Sequence, residues 1–204
     1  MKTFFSRYSY DFVKMFLNQF ATAVFGFSLA IASVSVIKND LVLLLSSIGA
    51  VAFYLMLNYG VAWKIGYSDR AAVRNGDVKY SRFRGLFVSL MANSVNIILG
   101  IAIAIEFFAG KAGATLLRGI AILLQAMYQG LLAYIKVGGQ PLNNQWWVYL
   151  VIIIPVLVAS TFGYVAGYAD FHITSVGIPD LPASDRPTRA EIKERKKKQK
   201  SNRD

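Results

Sequence analysis

The sequence predicts an all-α fold, a polytopic transmembrane helical bundle with four spanning helices and one amphipathic or re-entrant segment. Three observations predict it. Of 204 residues, 55% are hydrophobic and only 16% charged, and the mean hydropathy is +0.46, whereas soluble domains carry about a quarter charged residues. The apolar residues fall into runs of the length that spans a hydrocarbon core, about 20 helical residues for about 30 Å. The Lys and Arg residues are also distributed unevenly among the connections between those runs.

The elements follow in chain order. In residues 1–14, Phe4, Phe5, Tyr8 and Phe12, followed by Phe16, recur at three- and four-residue spacing, with Arg7, Asp11 and Lys14 opposite. This pattern predicts an interfacial amphipathic helix. The first span is expected over 15–37, too long for the apolar core of a cleavable signal peptide, and therefore an anchor. Lys38-Asn39-Asp40 is a polar turn into a second span over 41–63. Residues 64–85 are polar and basic, with Asn75-Gly76-Asp77 as turn chemistry, and they read as a loop. The third span is expected over 86–108.

Residues 115–136 are ambiguous. Nine Leu and Ile residues favour insertion, while Arg118, Gln125 and Gln129 oppose it, and a central Arg alone costs about 3 kcal/mol. Positions 118, 125, 129 and 136 share one face of a straight helix, which predicts an interfacial or re-entrant segment. The last span is expected over 146–168, with Trp146, Trp147 and Tyr149 as an interfacial belt and Pro155 as a kink. Residues 15–172 thus form the transmembrane domain and 173–204 a basic tail. In the tail, Pro179, Pro182 and Pro187 precede a capping-box-like start at Thr188–Glu191 and a short charged helix.

Charge sets the expected topology. With four spans, the N-terminal segment, the 64–85 loop and the tail share one side and hold 18 of the 22 Lys and Arg residues. The positive-inside rule then places both termini in the cytoplasm. The net charge of +11 is accounted for in this way, and nucleic acid is not an expected partner.

Chemistry-bearing residues are sparse. There is no cysteine and a single histidine, His172, so thiolate and His-pair metal sites are excluded. No paired carboxylates, nucleophile elbow or phosphate loop occurs, and no catalytic residue, metal site or cofactor is expected. The intramembrane polar candidates are Asn18, Gln19, Asn58, Asn93, Asn96 and Glu106. The amides either line a polar path or hydrogen-bond neighbouring helices. Glu106 either acts in the membrane or pairs with Lys111 or Arg118. Asp170 and His172 read as an interfacial hydrogen-bonding pair. Gly163 and Gly167 form a small-xxx-small packing face on the span that contains Pro155. Lys64, Arg70, Arg74, Lys79, Arg82 and Arg84 form an expected surface for anionic lipid headgroups or a protein partner.

One stretch carries a resemblance. Tyr59-Gly60, the run Trp63-Lys64-Ile65-Gly66-Tyr67-Ser68-Asp69-Arg70, Gly76, Gly85-Leu86 and Ala92-Asn93, with Lys14-Met15-Phe16-Leu17-Asn18-Gln19-Phe20, resemble small uncharacterised polytopic membrane proteins of Firmicutes-type bacteria. The resemblance covers about the first half of the chain. It implies a bacterial plasma membrane and no known activity. The leading expectation is a non-enzymatic accessory, scaffold or assembly protein, working with a membrane protein partner or as a homo-oligomer. The alternatives are a subunit of a small-solute transporter or channel, with 115–136 as pore or gate, and a lipid-modifying membrane enzyme.

Overall fold

The computed structural model describes residues 4–37, 39–110 and 116–171, and the architecture is an all-α bundle. The long helices α1 (Phe4–Ala32) and α2 (Asp40–Arg74) run first. The bent pair α3 (Arg84–Ala92) and α4 (Ser94–Phe108) follows. A second bent unit comprises α5 (Leu116–Leu124), a 3₁₀ turn (Ala126–Tyr128) and α6 (Gln129–Tyr134). A two-stranded hairpin, β1 (Lys136–Val137) and β2 (Gln140–Pro141), leads through the short α7 (Val148–Val151) to α8 (Ile154–Tyr168). Among the described residues, three helices are long and apolar enough to cross a membrane, or up to five if each bent pair is one span. The outward surface is apolar, with Phe162 68% and Met56 64% exposed, a finish that suits lipid and not water.

The sequence-based boundaries need several corrections. The amphipathic segment and the first span form one unbroken helix, and α1 ends in a π-helical turn, Ser33–Ile37. The helix that contains the second span does not stop at Trp63. It continues through Arg74 because Ile65, Gly66, Asp69 and Ala72 keep one face of α2 buried, so half of the expected loop is helix. Asn39 caps the start of α2, its side-chain oxygen accepting from the Leu41 N–H at 2.9 Å.

The third span is not one straight helix. It bends by 64° at Asn93, whose side-chain amide donates to the Ser89 carbonyl at 2.9 Å, one turn back, in competition with the helical ladder. The 115–136 segment bends by 78° at Gln125. Arg118 and Gln129 therefore sit on different helices, and the single polar face expected for a straight helix does not form. In the last span the irregularity precedes the proline: α7 and α8 meet at Ile152–Ile153, and Pro155 occupies the first turn of α8, where its missing N–H costs no helical bond. Gly138 and Gly139, at φ 60° and 78°, form the hairpin turn that only such residues enter freely.

Small residues set the helix contacts. A Cβ on Gly163 would lie 2.6 Å from the Tyr59 carbonyl oxygen, and one on Gly167 would fall on the Trp63 carbonyl. The small-xxx-small face of α8 is therefore seated on α2. Gly66 answers from α2, against the backbone of Tyr164.

Candidate functional site

Among the described residues, two buried polar regions stand out. The first is a single carboxylate, Asp69, 1% exposed on α2. Its Oδ1 accepts from Arg7 Nε at 3.2 Å, Arg7 Nη2 at 3.0 Å and the Tyr8 hydroxyl at 3.0 Å. Its Oδ2 lies 2.8 Å from the same Tyr8 hydroxyl and accepts from Arg84 Nη1 at 2.8 Å and the Tyr164 hydroxyl at 3.2 Å. Arg84 also donates to the Lys79 carbonyl at 2.5 Å. One acid thus joins α1, α2, α3 and α8. Sequence reasoning missed this cluster, having placed Asp69 in a solvated loop. Arg84, expected on a lipid- or partner-facing surface, is turned inward to this acid, with its side chain only 11% exposed.

The second region lies where the two bent units meet α1 and α2. A cavity of about 10 Å³ is lined by Gln19, Tyr54, Asn93, Asn96, Gln125 and Tyr128, and closed by apolar residues such as Met127 and Ile152. Gln19, Asn93, Asn96 and Gln125 are each at most 3% exposed. The amide nitrogens are engaged: Gln19 Nε2 donates to the Leu124 carbonyl at 3.3 Å, and Asn96 Nδ2 to Asn93 Oδ1 at 3.2 Å. Asn93 Oδ1 also accepts from the Tyr54 hydroxyl at 3.4 Å. The oxygens of Gln19, Asn96 and Gln125 and the Tyr128 hydroxyl are buried without any hydrogen-bond partner among the described residues. A buried polar atom without a partner costs about 1–3 kcal/mol, so four around one cavity require an explanation. The cavity is at the lower limit of the space one water needs.

The chain holds this geometry by close backbone contact. Gly26 of α1 lies against the backbone of Met127, and Gly130 of α6 against the Leu43 carbonyl of α2. The Ser47 hydroxyl donates to the Met127 carbonyl at 2.6 Å. The 3₁₀ turn after Gln125 is therefore buried between α1 and α2, and Gln125 faces the Asn93 bend.

The remaining sequence candidates lie elsewhere. Asn58 is buried but donates to the Tyr54 carbonyl at 2.9 Å, within its own helix, and does not line the cavity. Asn18 contributes a backbone carbonyl to the Thr22 hydroxyl at 2.8 Å. Glu106 has one buried carboxylate oxygen with no hydrogen-bond partner among the described residues. Other such atoms, Ser89 Oγ, Asn143 Oδ1 and Ser160 Oγ, are outside the cavity wall. Arg70 pairs with Asp170 at 2.9 Å, while Lys64, Arg74, Lys79 and Arg82 are exposed. Lys111, His172 and the whole basic tail lie outside the described residues.

Among the described residues no group of His, Cys, Asp and Glu is arranged to hold a metal ion. The amide cavity offers neutral oxygen acceptors and two phenols, Tyr54 and Tyr128, the first already donating to Asn93. That set has the chemistry to orient a small polar guest but provides neither a nucleophile nor a strong base. No family model, curated protein or solved structure matches this chain.

Proposed function

We propose that this chain is a subunit of a membrane transporter or channel for a water-sized polar species, and that the amide cavity is its binding point. The observation that carries the reading is the set of four unpartnered buried oxygens at Gln19, Asn96, Gln125 and Tyr128, lining one cavity at two helix breaks. Discontinuous helices recur at the binding points of transporters, because interrupted backbone and inward amides replace a solute's lost water. Packing amides alone are normally satisfied by their neighbours, and these are not. The cavity as it stands holds about one water at most, so passage requires the bent α5–α6 unit to move relative to α3–α4.

The test is reconstitution of the full chain into vesicles, with uptake of radiolabelled sodium and rubidium and osmotic water flux measured in parallel. The expected result is a flux above protein-free vesicles that Asn96→Leu and Gln125→Met abolish in correctly folded protein. Absence of all three fluxes, with a membrane protein co-purifying in mild detergent, would return the chain to the accessory or scaffold class.

A further inference from the structure

A different surface has the chemistry of a binding site. The last turns of α2 carry Tyr67, Arg70, Ala71 and Arg74 on one face. With Asp170, just past α8, they line an open cavity of about 330 Å³. One turn earlier, Trp63 stacks on Tyr67, their ring centroids 5.3 Å apart and their planes 10° from parallel. Trp63 Nε1 donates to the Phe171 carbonyl at 2.8 Å, which holds the end of α8 beside this face. Trp and Tyr favour the headgroup level of a bilayer, so Arg70 and Arg74, one and two helical turns beyond Tyr67, reach the phosphates.

The charges are unequal. Arg70 is bound to Asp170 at 2.9 Å with both side chains over a third exposed. Arg74 is exposed and meets no carboxylate among the described residues. Two guanidiniums against one carboxylate leave the cavity with one positive charge and a free planar donor fork, the geometry that recognises phosphate. Asp170 is the sole described non-glycine residue at positive φ, 61°. Its carboxylate competes for Arg70 with any incoming anion.

We propose that this hollow binds the phosphate of an anionic phospholipid headgroup, with Arg74 as the primary contact, Arg70 as the second and the Trp63–Tyr67 stack against the glycerol and upper acyl region. The aromatic stack beneath the cationic mouth favours a lipid over a free phosphate ion. The site is independent of the amide cavity, and its fate does not depend on whether the chain transports anything.

The test uses the full chain, delipidated in detergent and titrated with phosphatidylglycerol or phosphatidylcholine under native mass spectrometry, with inorganic phosphate as a competing arm. Wild type binds phosphatidylglycerol preferentially. Arg74→Gln, which leaves the Arg70–Asp170 pair intact, lowers that affinity about fivefold, and the Arg70→Gln, Arg74→Gln double variant lowers it by roughly the square of that factor. Asp170→Asn, which tolerates the same backbone conformation, raises the affinity. Arg82→Gln, exposed outside the hollow, leaves it unchanged. Equal phosphatidylglycerol binding by wild type and the Arg74→Gln variant overturns the proposal. Displacement of the lipid by millimolar inorganic phosphate overturns it too, assigning the hollow to a free anion.

Discussion

The Asp69 cluster and the amide cavity are both buried and polar, yet they are opposites in their accounting. Around Asp69, two arginines and two tyrosines converge on one carboxylate, and both of its oxygens are filled. Around the cavity, the amide nitrogens of Gln19, Asn93 and Asn96 donate to neighbours, while three amide oxygens and a phenol are buried without a partner among the described residues. A saturated cluster has nothing left to offer a guest, so its role is to fix four helices in register. An unsaturated one carries a standing cost that a guest would relieve. The distinction is between a clamp and a seat, and it assigns mutational effects of different size and sign to the two regions.

The largest effect is expected from Asp69→Ala. It leaves two guanidiniums facing each other in a partly buried site without their counter-charge, a change that costs about 3–5 kcal/mol. Thermal unfolding in detergent should show a single large loss of stability. A drop under about 1 kcal/mol would mean the arginines escape to water and the clamp is ornamental. The two arginines should then rank by burial. Arg84, with its side chain 11% exposed, should cost more on change to Gln than Arg7, at 28%, because screening by water discounts the more exposed charge. Roughly 2 kcal/mol against 1 is the expected separation, the larger in the usual range for bonds to charged groups and the smaller below it because water screens the more exposed charge. The reverse order would show that attachment of the N-terminal helix, and not the junction of α3 with α2, is what the cluster secures. Tyr164→Phe removes one donor at 3.2 Å from a carboxylate that keeps its other donors. It should cost about 1 kcal/mol, and a larger loss would indicate that α8 depends on that hydroxyl more than on its glycine seat.

The two regions also differed in how far the sequence foretold them. Periodicity and length gave the helical class and the apolar runs, because those depend on local spacing. They gave Gly163 and Gly167 as a packing face, but not α2 as its partner, since spacing on one helix names no neighbour. Gln19, Asn93 and Asn96 are legible in the sequence because an amide within an apolar run is conspicuous on its own. Gln125 reads in the sequence as an obstacle to insertion, and its place beside Asn93 in the cavity wall arises only from a 78° bend that no local pattern encodes. Asp69 was invisible for the opposite reason. It lies among Lys64, Arg70 and Arg74, where composition reads as loop. The available signal was that Val61, Ile65, Asp69 and Ala72 continue one helical face beyond Trp63. An acid on that face must find cations, and Arg7 is 62 residues away.

The smallest stability change, and the sharpest for the contrast, is expected at Gln125. Methionine matches glutamine closely in length and lacks its carbonyl, so Gln125→Met removes an unpartnered buried acceptor without opening a void. Replacing an unsatisfied polar group by an apolar one of the same shape is neutral or stabilising, so thermal unfolding should shift by between zero and about 1 kcal/mol toward greater stability. The same change should remove the vesicle flux. Stability retained or raised while flux is lost is the signature of a group kept for a guest at some expense to the fold. A loss of 2 kcal/mol or more would place Gln125 in the same class as Arg84, as a structural bonder, and the contrast between clamp and seat would collapse. Asn96→Leu is a weaker probe of the same point, because it also deprives Asn93 Oδ1 of the donor at 3.2 Å and so mixes the cost of a broken bond with the gain from a removed orphan.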